Sequence, residues 1–300
     1  MKKNAVLLVM VASLLWGTDS LFRRPLSRDL SPITVVFLEH LVLAAVALPV
    51  VIQARKEIRG LPARVWGSLV FIAAGGSVFA TSLFTYAIKY GNPSVAALLQ
   101  KTQPLITIGL ARAMLGESPG RQFWYWVPPA LAGAYLVSAP DWRAGIRLDP
   151  HQPLPPAAAL VAASLWATCT VLGRYASGRV SPVPLTGLRF LLALPLLAVL
   201  YALQSPADRR LPESASEVAL LVAMALGPGL LALILYYRGL RSTIAPIASV
   251  AELAFPLTAV LTNWAFLDIR LAPLQLTGGA LLVLSITALG YFGPRPGHND

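Results

Sequence analysis

Apolar runs of about 20 residues alternate with short polar stretches along the whole chain. A helix rises about 1.5 Å per residue, so a run of that length crosses the ~30 Å hydrocarbon core of a bilayer. Ten runs have this character: Asn4–Phe22, Pro32–Ala54, Val65–Ile88, Gly91–Ala111, Gln122–Ser138, Pro153–Gly173, Val180–Ala202, Val218–Tyr237, Ser242–Leu267 and Leu271–Phe292. Strong period-two alternation is missing, which argues against an outer-membrane barrel. In lipid every backbone polar group needs an internal partner, and helices supply it within one segment. The pattern predicts an all-α integral membrane protein with ten transmembrane helices.

The runs repeat. At an offset of 150 residues, Val11, Ala12, Leu15, Trp16, Thr18, Arg24, Ser27, Ser31, Pro32, Leu38 and Leu41 all meet an identical residue in Val161–Leu191, without a gap. Chance pairing of apolar sequence would match several Leu, Ala and Val. It would rarely also match Trp16 with Trp166, Arg24 with Arg174 and Ser31-Pro32 with Ser181-Pro182. Residues 1–140 therefore form a first five-helix repeat, 141–152 a polar linker, and 153–300 a second repeat. Five is odd, so the second repeat starts on the opposite face and the two are inverted, as in many secondary transporters.

Charge then sets the orientation. With the N-terminus in the cytoplasm, the inner segments hold 13 Lys and Arg and the outer loops 9. That bias places both termini on the cytoplasmic side of an inner, or plasma, membrane. The net charge of +11 comes from basic residues at span ends, where they meet anionic headgroups, and calls for no nucleic-acid partner. Met1-Lys2-Lys3 followed by Val6–Leu15 has the outline of a signal peptide. Its internal counterpart Val161–Thr170 must stay, so retention is expected. All connections are short, and no phosphate-cradling glycine motif is present. Energy would come from a gradient or a partner. One cysteine, Cys169, allows no disulfide within the chain, and His40, His151 and His298 have no metal-ligand spacing. No cofactor and no metal are expected. An enzyme would need a paired nucleophile and base at depth, which Cys169 and His40 do not make.

The candidate chemistry lies inside the spans. Asp19, Glu39, His40, Lys101, Arg189 and Glu252 sit in apolar runs, while the third, fifth, sixth, eighth and tenth carry no charge. A charge at the centre of a membrane helix costs at least ~2.5–3.5 kcal/mol, so it faces the bundle interior or water. Glu39 aligns with Arg189 at the offset of 150. Pro104-Leu105 matches Pro256-Leu257 at 152, which aligns Gln100 with Glu252, each four residues before a proline. Pro104 and Pro256 remove the donors to those carbonyls and mark helix kinks. The freed carbonyls can serve substrate or water, or a neighbouring Ser or Thr can satisfy them. Gln100, Gln103 and Thr107 share a helix face, as do Glu252, Pro256 and Asn263. Trp16, Trp166, Tyr86 and Tyr237 complete the expected substrate pathway. Structural alternatives stand beside these: Asp19 paired with Arg23, Glu39 paired with Arg189 or His40, and a snorkelling or neutralised Lys101.

These residues carry a resemblance. Ser13-Leu14-Leu15-Trp16-Gly17-Thr18, Ser164-Leu165-Trp166-Ala167-Thr168, Lys101-Thr102-Gln103-Pro104-Leu105 with Leu115-Gly116-Glu117, and Glu252-Leu253-Ala254-Phe255-Pro256-Leu257 resemble EamA-type members of the drug/metabolite transporter superfamily. Leu267-Asp268-Ile269 departs from that pattern, where a Gly-Glu pair is expected. The resemblance implies a central cavity, alternating access, peripheral fifth and tenth spans and small metabolites as substrates, amino acids among them.

The expected function is secondary transport, outward, of a small polar or zwitterionic metabolite such as an amino acid. Glu252 or Glu39 is the candidate carrier of a coupling proton. A facilitative channel is the alternative, and an intramembrane enzyme a more distant one. The lipid bilayer is the only other partner expected, and a monomer is adequate.

Overall fold

The computed structural model describes residues 4–91, 93–138, 151–267 and 272–292. Among them every regular element is helical. Ten helical rods follow one another, and eight are long and apolar enough to cross a membrane. The other two are the fourth, which is interrupted, and the fifth, Arg121–Ser138, which is rich in Trp and Tyr. Most of the linker at 141–152 lies outside the described residues, as do Asp268 and Ile269.

The first rod runs Ala5–Gly17 and then Asp19–Asp29, beyond the expected end at Phe22. Its extension is explained by a stripe at four-residue spacing: Leu26 and Leu30 are buried with Leu221 and Met224 of the eighth rod, and Phe22 packs against them. Tertiary burial here overrides the loss of apolar character.

Two rods break where the prolines sit. The fourth is Pro93–Gln100 and then Gln103–Leu115, parted at Lys101-Thr102. The ninth is Ala245–Ala251, a tight 3-10 turn Glu252–Ala254, and then Phe255–Leu267. Proline tolerates the first turn of a helix and not its interior. Pro104 and Pro256 each stand second in a restarted helix, so the chain turns just ahead of them.

The third and eighth rods contain π-helical segments, Ile72–Ala80 and Ala225–Leu231. They coincide with the small-residue runs Ala73-Ala74-Gly75-Gly76 and Gly227-Pro228-Gly229. Each faces the other half's charged residue. A Cβ on Gly76 would lie 3.1 Å from Arg189 Nη2, and one on Gly229 would lie 3.5 Å from Glu39 Oε1. Wide turns of this kind often mark functional positions.

The halves interlock. The second rod, Pro32–Gln53, packs along the seventh, Pro182–Leu203. At one end Gln204 and the carbonyl of Asp208 hold Ser31 and Thr34, which open the second rod. At the other end Glu57 accepts from the amide of Ser181, which opens the seventh. The fifth and tenth rods pair with each other, and the first packs on the eighth and ninth. One apolar core joins residues from both halves.

Candidate functional site

Residues from both halves meet at Glu252. The 3-10 turn after Ala251 turns its side chain towards the sixth and eighth rods. Gln103 Nε2 donates to Oε2 at 2.7 Å. The Tyr236 hydroxyl donates to Oε1 at 2.9 Å, and Thr170 Oγ1 lies 3.2 Å from the same oxygen. Ser13 Oγ donates to the Glu252 carbonyl at 2.6 Å, and the Phe255 amide reaches that carbonyl too. The carbonyl that Pro256 frees is therefore satisfied within the protein. Trp16 tilts against Tyr236, with ring centroids 5.1 Å apart. Among the described residues no basic group lies within 4.0 Å of the Glu252 carboxylate. Neutral donors alone hold it, an arrangement that suits a group that gains and loses a proton. Glu252 and Trp16 stay half-buried although Ser13, Gln103, Thr170 and Tyr236 around them are buried.

A second polar cluster lies further along the first rod. Arg23 spans two carboxylates: its Nη2 donates to Asp19 Oδ1 at 2.8 Å and to Glu39 Oε2 at 2.9 Å, and its Nε reaches Asp19 as well. Glu39 thus pairs with neither Arg189 nor His40, the two partners that alignment and adjacency offered. The aligned pair is parted: Arg189 bonds Ser77 and Tyr237 instead. His40 Nδ1 sits 2.9 Å from the Val36 carbonyl, and its ring meets Phe190 edge-on.

A third cluster lies at the end of the molecule where the first rod begins. The fourth rod ends at Gly116, in the left-handed region at φ 66°, and the amide of Glu117 folds back onto the Ala111 carbonyl. That turn aims Glu117 at the second half. Arg174 Nε donates to Oε1 at 2.9 Å, and the amide of Ala245, first in the ninth rod, donates to Oε2 at 2.8 Å. Arg174 also reaches the carbonyl of Arg241 at 2.9 Å. One carboxylate so ties the fourth rod to the sixth and to the start of the ninth.

The remaining expected residues are spread out. Lys101 lies at the break in the fourth rod, its Nζ 5.8 Å from the Phe255 ring centroid. Gln100 is half-buried at the end of Pro93–Gln100, and it is Gln103 that reaches Glu252. Trp166 differs from its repeat mate: its Nε1 donates to the Gly76 carbonyl at 3.2 Å, in the π segment, and its ring meets Phe84. Tyr237 is fully buried beside Arg189. Tyr86 is exposed, and its ring meets that of Tyr90. The side chain of Asn263 lies outside the described residues. Thr170, Tyr236 and Ser13 complete the Glu252 cluster. Thr170 aligns with Ser20 at the repeat offset, so a hydroxyl kept in both halves was its only mark.

The EamA-like transporter family model matches the chain twice, over residues 3–139 and 156–291. The riboflavin transporter ImpX of Fusobacterium nucleatum subsp. nucleatum is 29% identical over 293 residues, covering 94% of this chain and 96% of that protein. A solved crystal structure matches with a TM-score of 0.77 at 21% identity, covering 97% of each chain, a likeness of fold.

Proposed function

We propose, on the premise that this chain belongs to the EamA-like transporter family, that it is a secondary carrier for a small metabolite with a flat ring and polar edges, moved by alternating access through the space around Glu252. The observation that carries this reading is the meeting of both halves on Glu252, with Trp16 and Tyr236 beside it. Two rings offer a stacking wall, and the carboxylate with its hydroxyl and amide neighbours offers donors and acceptors to a polar edge. Riboflavin, named for the relative, has that chemistry. An amino acid is the second reading, favoured by the opposite charges of Glu252 and Arg189, which bond the consecutive residues Tyr236 and Tyr237.

The repeats at 1–140 and 153–300, joined by 141–152, are the two inverted units that together form the path. The family matches at 3–139 and 156–291 support that division. The Glu117–Arg174–Ala245 contact would hold one end shut and release it in the opposite state. Such a tie favours a carrier over an open channel. The excess of basic residues supports both termini on the cytoplasmic side of the inner membrane. Glu252 carries the coupling proton, and the direction of net flux follows the gradient.

Thermal unfolding of the purified protein tests the substrate reading. Riboflavin at about 100 times its Kd should stabilise the folded state by about 2.7 kcal/mol, seen as a raised midpoint. A raised midpoint with amino acids alone supports the second reading. No shift with either class contradicts both.

A further inference from the structure

Arg189 stands about 10 Å of helix rise into the seventh rod. Its Nε donates to Ser77 Oγ at 2.8 Å and its Nη1 to the Tyr237 hydroxyl at 3.2 Å. Both partners are neutral. Among the described residues no carboxylate lies within 4.0 Å of its guanidinium, whereas Arg23 answers two carboxylates and Arg174 one. A buried charge is usually paired, so an unneutralised guanidinium within a span needs a reason.

Its surroundings supply one. Ser77, Cys169 and Tyr237 are buried, yet the Arg189 side chain stays half-buried. The part of it left accessible is flanked by these buried residues. The third nitrogen, Nη2, lies against Gly76, where a Cβ would come within 3.1 Å of it. Glycine leaves that nitrogen uncovered. A guanidinium fixed through two nitrogens, with the third presented beside a bare backbone, can receive an oxyanion. The Tyr236 and Tyr237 rings, centroids 5.4 Å apart, set this cation and Glu252 on neighbouring faces of one helix.

We propose that Arg189, held by Ser77 and Tyr237 beside Gly76, is an oxyanion subsite that takes a carboxylate or phosphate-ester group of the transported molecule. This rests on the reading of the central space as the substrate path. Within that reading it favours ring compounds bearing an oxyanion over relatives that lack one.

The test measures binding to the full-length protein in detergent with two matched pairs: riboflavin 5′-phosphate against riboflavin, and tryptophan against tryptophanamide. The variants are Arg189→Gln, which keeps a donor and loses the charge, and Tyr237→Phe, which keeps the charge and loses its anchor. Wild type should bind at least one oxyanion member about tenfold or more tighter than the mate that lacks the oxyanion. Arg189→Gln should erase that ratio, with the mate lacking the oxyanion bound within about threefold of wild type. Tyr237→Phe should shrink the ratio, and this variant serves alone where Arg189→Gln does not fold. An unchanged ratio in whichever variants fold, or no oxyanion preference in wild type, overturns the subsite. Flavins bound with equal affinity by Arg189→Gln would spare the flavin reading while sinking the subsite. An Arg189-dependent preference confined to the tryptophan pair would do the reverse.

Discussion

Replacing Glu252 by Gln leaves a folded carrier that exchanges labelled for unlabelled substrate but no longer accumulates it against a gradient. The amide is nearly isosteric with the acid. Its oxygen still accepts from Tyr236 and Thr170, and a flip of the Gln103 amide lets the new NH2 group find an acceptor. What is lost is the capacity to carry a proton or a charge. No cation lies within 4.0 Å among the described residues to make the carboxylate part of a structural ion pair. Linked sites are typically coupled by about 1–3 kcal/mol, or 5–150-fold. Driven accumulation in proteoliposomes should fall within or beyond that span, and counterflow should stay within about threefold of wild type. Full accumulation in the variant assigns the coupling proton elsewhere.

Replacing Gly133 by Val should abolish recovery of folded protein. Gly133 lies where the fifth rod meets the tenth, and a Cβ there would come within 2.7 Å of the Gly278 carbonyl oxygen and 2.8 Å of the Leu282 amide nitrogen. Both obstacles are backbone, which no side-chain rotation relieves. Gly278 is tight in the same way, with Leu136 Cβ at 2.6 Å and the Gly133 carbonyl at 3.0 Å. Small residues let membrane helices approach this closely, and packing is what holds them there. Overpacking alone costs about 1–3 kcal/mol, and separating two backbones forfeits further contacts along both rods. Gly109→Ala is the matched control, since nothing lies within 4 Å of its Cβ position. Size-exclusion profiles and thermal midpoints should separate the two variants cleanly. A Gly133→Val protein as stable as Gly109→Ala contradicts this packing.

The ten spans and their duplication are legible in the sequence because the bilayer imposes a length on each apolar run, and because Trp16/Trp166 and Ser31-Pro32/Ser181-Pro182 seldom pair by chance. The π segments are hidden. A π turn shifts the helical period, but a run without polar residues shows no stripe to reveal the shift, so Ala73-Ala74-Gly75-Gly76 reads as close packing or a hinge. Partner choice is hidden as well. Alignment sets Glu39 against Arg189 but says nothing of rotamers or distance, and Arg23, four residues beyond Asp19, reaches both acids. Thr170 is one hydroxyl in an apolar run, and nothing local separates it from a threonine bonded to its own helix. Glu252 stands out in the sequence because charge, proline and repeat coincide on it. The Glu117–Arg174 tie requires knowing that the fourth and sixth rods touch.

Whether water reaches Glu252 from each face in turn is tested most directly at Thr170, whose hydroxyl lies 3.2 Å from its carboxylate. In a Cys169→Ala background, Thr170→Cys carries a single thiol. A membrane-impermeant thiol reagent should modify it from either face of a proteoliposome, with the favoured face set by the gradient and with protection by saturating substrate. A thiol that stays unmodified from both faces, in every gradient, would mean that the two halves seal a dry core at Glu252 and that the transport path runs elsewhere.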